Sequence, residues 1–314
     1  MADSSSTTVG VAKTEKIWLD GKFIPWDQAQ IHVMTLGLHY GVGAFEGIRA
    51  YDCGGGKSAV FRLREHVERL YQSAKIMLLD IPYPAEDLAR ACVEILKINK
   101  MPQGYIRPLA FMGDGAMGLG AINPVRVAIM AWVWGSYLGD EGMKKGIRAK
   151  VSSFTRMHVN SNMVRGKITG QYVNSVLAKR EAKLAGYDEA IFLDQQGWVA
   201  EATGENLFLV RGGVVYTPPP ASPILEGITR GTILRLLKDH GLEVREQAFT
   251  RDTLYIADEV FLCGTAAEVT PVREVDNRQV GSGEPGRVAK LVQQAFFKAA
   301  RGGDERYQEW LTYY

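Results

Sequence analysis

The chain has 314 residues, 46% of them hydrophobic, and a formal net charge of +2. This length is enough for two domains with separate cores, and interspersed charges predict neither a nucleic-acid nor a membrane partner. No apolar run approaches the length of a membrane span. Three scattered cysteines without CxxC spacing predict a reducing, cytoplasmic location rather than a disulfide framework or a zinc site.

The first half of the chain predicts a small α/β domain over 15–133, preceded by a disordered polar leader at 1–14. Residues 17–24 (IWLDGKFI) alternate around Asp20-Gly21, a type I′ hairpin signal. This domain is also predicted to contain helices at 64–79 and 85–98, followed by strands at 105–112 and 125–133.

The first predicted helix covers 64–79 (REHVERLYQSAKIMLL), where apolar side chains recur with helical spacing. The side chains placed on its core face are Val67, Leu70, Tyr71, Ala74, Met77 and Leu78. This register leaves Arg69 off the core stripe and free to reach an anion.

Residues 134–146 are rich in glycine, tyrosine and aspartate and predict an interdomain linker. A larger domain is then expected over 147–314, with short strands between helices. Its helices are predicted at 174–185, after the GITR turn at 227–230, and at 287–300. Its strands are predicted at 189–193, 199–202, 207–210, 214–217, 259–262 and 268–272. The fold class predicted is a mixed α/β fold.

The chemistry of the chain centres on Lys167 in KITGQYVNS, followed by Tyr172, by Glu201 and by two small-residue turns, GITR and GTAAE. Each feature alone has an ordinary structural explanation, as a surface lysine, a strand-end charge or a helix cap. Together they supply what pyridoxal 5′-phosphate (PLP) requires. The cofactor needs an amine for a Schiff base, a carboxylate beside its pyridine nitrogen, and backbone N–H groups for its phosphate.

From about Ile17 to the end, the chain resembles the class IV aminotransferases of PLP fold type IV, and among them the branched-chain amino acid aminotransferases. The matching motifs are LHYGVGAFEGIRAY (38–51), FRLREHVERL (61–70), GYIRPLAFMGDGAMGLG (104–120), WGSYLG (134–139), KITGQYVNS (167–175), GYDEAIFLD (186–194), EATGENLFLV (201–210), LEGITR (225–230) and CGTAAEVTPV (263–272). The resemblance implies two lobes with the active site between them. Ala202 and Glu226 depart from the family's usual glycine and proline.

Carried over position by position, the resemblance implies that Lys167 is the catalytic residue and carries the cofactor covalently. Glu201 is expected at the pyridine nitrogen, Tyr172 at the ring oxygen and Leu225 on the ring face. Five residues are expected to bind the cofactor phosphate: Arg69, Gly227, Ile228, Thr229 and Thr265.

The same resemblance implies transamination of leucine, isoleucine and valine with 2-oxoglutarate, giving branched 2-oxo acids and glutamate by a ping-pong mechanism. Tyr105 and Arg107 are expected to make polar contacts with the substrate. The backbone N–H groups of Thr265 and Ala266 are expected to bind its α-carboxylate. The apolar walls are expected to be Tyr40, Phe45, Met117, Trp134 and Tyr137, with Leu119 reaching in from a second subunit. The chain is therefore expected to form a homodimer or a higher homo-oligomer.

Alternative functions stay open at this point. Within the fold these are a D-amino acid or (R)-amine transaminase and an aminodeoxychorismate lyase, with a non-catalytic carrier more remote. Outside it, Gly113-Asp-Gly115-Ala-Met-Gly118 matches the G-x-G-x-x-G pattern of NAD-dependent oxidoreductases. That pattern requires a following helix, and Pro124 with two more glycines argues against one. Five histidines without metal-ligand spacing predict no metal site.

Overall fold

The computed structural model describes residues 11–314, so residues 1–10 of the expected leader lie outside the described residues. The first lobe is built on an antiparallel sheet of eight strands. These are β1 (Lys16–Leu19), β2 (Lys22–Pro25), β3 (Gly43–Phe45), β4 (Ile48–Gly54), β5 (Lys57–Phe61), β6 (Gly104–Met112), β7 (Val125–Trp132) and β17 (Leu311–Tyr313). Their order is β17-β5-β4-β6-β7-β1-β2, with β3 beside β6.

Three helices belong to the first lobe: α1 (Leu36–Tyr40), α2 (Leu63–Ile76) and α3 (Ala85–Ile98). The core between α2, α3 and the sheet includes Leu70, Ile95 and Ile106, all fully buried. Leu78, expected on the core face of the first helix, is instead 89% exposed. The reason is that α2 ends at Ile76, and Leu78 turns into the left-handed region at φ 53°.

The second lobe is built on a mixed sheet of nine strands. These are β8 (Ile147–Val151), β9 (Glu189–Leu193), β10 (Val199–Ala202), β11 (Asn206–Arg211), β12 (Val214–Thr217), β13 (Val244–Glu246), β14 (Glu259–Gly264), β15 (Glu268–Val275) and β16 (Arg278–Gln279). Their order is β10-β9-β8-β15-β14-β11-β12-β13, with β16 beside β15. Strand β8 runs parallel to both of its neighbours, β9 and β15.

Five helices follow the first lobe: α4 (Asp140–Lys145), α5 (Tyr172–Leu184), α6 (Ile228–Asp239), α7 (Arg251–Tyr255) and α8 (Arg287–Ala300). Helices α6 and α8 cover one face of the second sheet, where Ile233, Leu237 and Phe296 are buried. None of the helices in residues 11–314 combines the length and the apolar character that crossing a membrane requires.

Several sequence predictions are confirmed by these elements. The β1–β2 hairpin turns at Asp20 and Gly21, both with positive φ, and the helices predicted at 85–98 and 287–300 have those bounds. Between β6 and β7, no residue is helical. The helix that the dinucleotide pattern requires after Gly118 is therefore missing. The predicted linker at 134–146 is partly helical, because it contains α4.

Candidate active site

The backbone of Lys167 is held by the first lobe. The Lys167 N–H donates to Ser73 Oγ of α2 at 2.9 Å, and the Lys167 carbonyl accepts from Phe45 N of β3 at 3.1 Å. Just beyond, Gly41 and Gly170 approach so closely that a Cβ on Gly41 would lie 2.6 Å from Gly170 Cα. Only glycine fits there, and this contact fixes the segment that carries the lysine.

The Lys167 amine faces Tyr172 at the start of α5. Its Nζ lies 2.8 Å from Tyr172 Oη and 5.1 Å from the centre of the Phe45 ring. Phe45 in turn packs edge-on against Tyr172, with ring centres 4.8 Å apart. The amine therefore points in one direction, between the Phe45 ring and the Tyr172 hydroxyl, which can share its proton.

Glu201 on β10 is a buried carboxylate that lines the same cleft. It lies 2.8 Å from Arg156 Nε, although that N–H does not point along the line between them. Its other oxygen accepts from Leu225 N at 3.0 Å and from Asn206 Nδ2 at 3.2 Å. Burial raises the pKa of Glu201, and Arg156 and the Leu225 N–H oppose that rise. A cationic ring nitrogen beside it would favour the charged form further.

Helix α6 presents its N-terminus to the cleft. Gly227 precedes the helix in an extended conformation, and no side chain caps the first N–H groups. Free N–H groups at a helix start form a ready anion site. A Cβ on Gly227 would lie 2.1 Å from Asn206 Oδ1, so a side chain there would displace the residue that holds Glu201.

Arg69 also reaches the α6 end of the cleft, but its guanidinium is not free as the sequence suggested. Its Nε and Nη2 donate to Glu46 at 2.6 and 2.9 Å, and its Nη1 donates to the Glu226 carbonyl at 3.2 Å. Burial acts to raise the pKa of Glu46, but Arg69 and His66 lower it well below its ordinary range. Only Nη1 faces the α6 end, since the other nitrogens are occupied by Glu46.

The Thr265–Ala266 turn is held by Arg49 of β4. Arg49 Nε donates to the Thr265 carbonyl at 3.0 Å and Nη2 to the Ala266 carbonyl at 2.9 Å. The same guanidinium donates to the carbonyls of Trp134 and Gly135. Because C=O and N–H point in opposite directions across a trans peptide, the Ala266 N–H points away from Arg49 and is available to an anion.

Arg107 lies beside Tyr105, among aromatic side chains. Its Nη2 lies 3.3 Å from Tyr105 Oη, and its Cζ lies 4.7 Å above the Phe45 ring. Its Nε is buried and has no hydrogen-bond partner among the described residues. Because Arg107 is half-buried and pairs with no carboxylate among the described residues, its guanidinium is one cation available to a ligand.

All the residues expected to bind the cofactor line one cleft: Arg69, Lys167, Tyr172, Glu201, Leu225, Gly227, Ile228, Thr229 and Thr265. Of those expected at the substrate, Tyr105, Thr265 and Ala266 line the same cleft. Four more are connected to it through Tyr105: Arg107 lies against the rings of Phe45 and Tyr105, and Trp134, which packs on Tyr137, has its ring centre 4.8 Å from that of Tyr105. Three others are not brought to the cleft of this chain: Tyr40 (46% exposed), Met117 (41%) and Leu119 (91%).

The cleft fits PLP on three observations. An amine lies beside a hydroxyl, and a buried carboxylate and an uncapped helix start line the same cleft. Sequence reasoning missed the supporting residues Glu46, Arg49, Arg156 and Asn206. For Glu46 and Arg49 a signal existed, because charged side chains inside the apolar strands of FEGIRAY require buried partners.

Comparisons with known proteins bear on this cleft. Residues 43–275 match the family described as "Amino-transferase class IV". The branched-chain-amino-acid aminotransferase of Pseudomonas aeruginosa is 48% identical over 297 residues, 94% of this chain and 96% of that protein. The crystal structure of the Escherichia coli branched-chain amino acid aminotransferase superposes with a TM-score of 0.93 at 46% identity, covering 95% of this chain and 99% of that one. The T.th. enzyme complexed with N-(5′-phosphopyridoxyl)-L-glutamate gives 0.91 at 46%, covering 96% and 98%.

Proposed function

The chain belongs to the class IV aminotransferases, among the branched-chain-amino-acid aminotransferases, and from this premise we propose how its cleft carries out transamination. The amino group of leucine, isoleucine or valine is transferred to 2-oxoglutarate, which yields a branched 2-oxo acid and glutamate in two half-reactions. One observation carries the proposal: Lys167, Tyr172, Glu201 and the start of α6 line a single cleft.

The cofactor is pyridoxal 5′-phosphate, which supplies an aldehyde for the amino group and a ring that withdraws electrons from the substrate Cα. We assign its covalent attachment to Lys167 Nζ. When it is not bound to the cofactor, Nζ would take the proton from the substrate Cα as general base and deliver it as general acid to C4′ of the cofactor. Tyr172 Oη, 2.8 Å away, holds the amine in position and shares its proton.

The remaining cofactor contacts follow from charge. Glu201 keeps the ring nitrogen protonated, because a carboxylate beside it raises the pKa of that nitrogen. The N–H groups of Ile228 and Thr229, the Thr265 turn and Arg69 Nη1 hold the phosphate. Leu225 packs on the ring, and Arg156 keeps Glu201 oriented from behind.

Specificity for both glutamate and aliphatic amino acids is supported by one half-buried cation among apolar side chains. We propose that Arg107, with Tyr105, binds the γ-carboxylate of glutamate, and that aliphatic side chains pack on Phe45, Trp134 and Tyr137. The α-carboxylate is bound by N–H groups of the Thr265–Ala266 turn. The relative solved with a phosphopyridoxyl-glutamate adduct supports a site for glutamate.

The active unit proposed is a homodimer or a higher homo-oligomer. Its support is the exposed apolar loop between β6 and β7, in which Leu119 and Ile122 are 91% and 90% exposed. Met117 and Leu119 would complete the neighbouring subunit's substrate pocket, and Tyr40 would border the same interface.

We also propose that 15–133 and 147–314 are the two domains, with 134–146 as their linker. The two separate sheets support this division, except that β17 at the end of the second range pairs with β5 in the first sheet. A cytoplasmic location is supported by the three unpaired cysteines, Cys53, Cys92 and Cys263.

A panel of L- and D-amino acids with 2-oxoglutarate, read by the appearance of new 2-oxo acids, tests the function. We expect turnover with L-leucine, L-isoleucine and L-valine. Turnover with D-amino acids or (R)-amines alone would instead identify the other transaminase group of this fold. Release of pyruvate from aminodeoxychorismate without an acceptor would identify the lyase.

A further inference from the structure

Two buried carboxyl groups line the cleft and a third is hydrogen-bonded to Thr203 of its lining, but only two cations in residues 11–314 are paired with the three. Glu189, Glu201 and Glu205 are 0%, 4% and 3% exposed. The cations are Arg156, beside Glu201, and Lys179, beside Glu189. This count leaves Glu205 without a cation among the described residues.

The hydrogen bonds divide in the same way. Glu189 accepts from Lys179 Nζ, from Thr203 Oγ1 at 2.6 Å and from its neighbour Ala190 N at 2.8 Å. Within residues 11–314, Glu205 accepts only from Gly204 N, at 3.0 Å. A buried carboxylate with a single N–H partner is strongly disfavoured, and such a group keeps its proton instead.

The groups that face Glu205 reinforce this protonation. Burial raises the pKa of Glu205 to about 8, with the nearby charge of Glu189 as the next cause, and Lys179 opposes the rise. Glu201 on β10 adds to it. Tyr137 and Cys263, which also face Glu205, have pKa values raised by burial, so neither supplies a charge at neutral pH.

Glu205 lies beside the turn that we assign to the substrate α-carboxylate. It lines the cleft together with Gly204, Gly264 and Thr265. A Cβ placed on Gly264 would lie 3.6 Å from Glu205 Cγ, so its side chain packs against the residue that precedes Thr265. A charge on Glu205 would therefore act at short range on a carboxylate bound at this turn.

We propose that Glu205 is a specificity-determining acid, whose protonated form leaves this wall uncharged and whose ionisation weakens the binding of carboxylate substrates. The inference rests on the proposed function, because it takes the Thr265 turn as the carboxylate site. Glu205 takes no part in the transamination chemistry, but its ionisation controls how tightly anionic substrates bind as pH rises.

The first test measures ligand affinity of the PLP-loaded parent between pH 6 and 9. The probes are 4-methylvaleric acid, which is ionised across this range, and its uncharged amide, both as competitive inhibitors. We expect the inhibition constant of the acid to rise at least about tenfold relative to that of the amide as Glu205 ionises. Glu205→Gln should remove this divergence. Glu94→Gln, which changes a partly exposed acid on α3 outside the cleft, should keep it.

The second test is the pH dependence of thermal stability. The pKa of Glu205 is higher in the folded protein than its ordinary value of 4.5. Its contribution to stability is therefore fully present below about pH 4.5 and is lost as pH rises through about 8. Because glutamine cannot ionise, Glu205→Gln should match the parent's melting temperature near pH 5 and exceed it by a few degrees at pH 9.

Parallel curves for the acid and the amide in an active parent would overturn this inference and leave the proposed function intact. That measurement needs no variant, so it decides the question even if Glu205→Gln does not fold. A parent that does not transaminate would overturn the proposed function and this inference with it. A melting temperature of Glu205→Gln that stays below the parent's at pH 9 would also overturn it.

Discussion

At the scale of single residues, Glu201 controls how strongly the cofactor ring withdraws electrons. Glu201→Gln keeps the size of the side chain and removes its charge, so the ring nitrogen should lose its proton. We expect the cofactor to stay bound while the half-reaction with leucine slows by orders of magnitude. Single-turnover spectroscopy measures this rate. A change of less than about twofold, or ~0.5 kcal/mol of barrier, would contradict the role.

Arg107 should separate the two substrate classes. Arg107→Leu should damage the glutamate half-reaction far more than the leucine one, because only glutamate carries a second carboxylate. A charged hydrogen bond contributes ~1.5–3 kcal/mol, so the expected gap is about ten- to a hundredfold. Single-turnover rates with each amino acid measure it, and Arg107→Lys should recover part of the glutamate rate. Equal losses with both substrates would mean that Arg107 only shapes the pocket.

Lys167 is expected to carry the cofactor covalently. Purified protein should be yellow, and borohydride reduction should fix the pyridoxyl group to one peptide. The lysine, hydroxyl and carboxylate set of the cleft is the reason. Mass spectrometry of the digest identifies the residue, and a label on any other lysine would refute the assignment.

The sequence could indicate those residues whose chemistry is specific and whose order follows the chain. Lys167, Tyr172 and Glu201 are of this kind. The sequence indicates that Arg49 needs buried partners but not which they are, because Thr265 and Ala266 lie 216 and 217 residues away. Arg69 shows the same limit. Helical spacing placed it off the core, but nothing in that spacing indicated that Glu46 would occupy two of its nitrogens.

At the scale of elements, the start of α6 should decide how tightly the cofactor phosphate is held. A Cβ in Gly227→Ala would lie 2.1 Å from Asn206 Oδ1 and should push the helix start out of place. We expect pyridoxamine 5′-phosphate, which has no covalent link, to dissociate at least about tenfold faster, a loss of ~1.4 kcal/mol.

The matched control for this prediction is Gly231→Ala on the same helix, where an added Cβ meets nothing within 4 Å. It should leave the dissociation rate unchanged and stabilise the helix by roughly 0.5–1 kcal/mol, because alanine is the better helix former. Equal effects of the two substitutions would show that the helix start is not the phosphate site.

Elements with a strong apolar period were predictable, and α3 and α8 have the bounds that the period indicates. The short strands β9, β10 and β12 also have their predicted bounds. The strand β8 was missed, because nothing in its five residues indicates its parallel partners, β9 and β15, which are far away in sequence. The end of α2 was missed for a backbone reason, since Leu78 continues the apolar pattern after the chain has left the helix.

At the scale of the whole molecule, activity should depend on association of two chains. Leu119→Ser removes an apolar side chain that is 91% exposed in the single chain and should weaken association and substrate binding together. We expect specific activity to fall as the protein is diluted. In this variant the fall should begin at a higher protein concentration than in the parent. Light scattering at the assay concentrations measures the assembly. A monomer with full activity would refute the prediction.

The contacts of Lys167 also say something about the order in which the molecule assembles. By sequence the lysine follows the linker and belongs with the second lobe, but its backbone is hydrogen-bonded to Ser73 and Phe45 of the first. The reactive amine therefore cannot reach its place until the earlier-synthesised half has folded around it. During refolding, secondary structure should return before the ability to capture an aldehyde. A chain that has folded in halves but has not yet joined them would hold every catalytic residue and still be chemically inert.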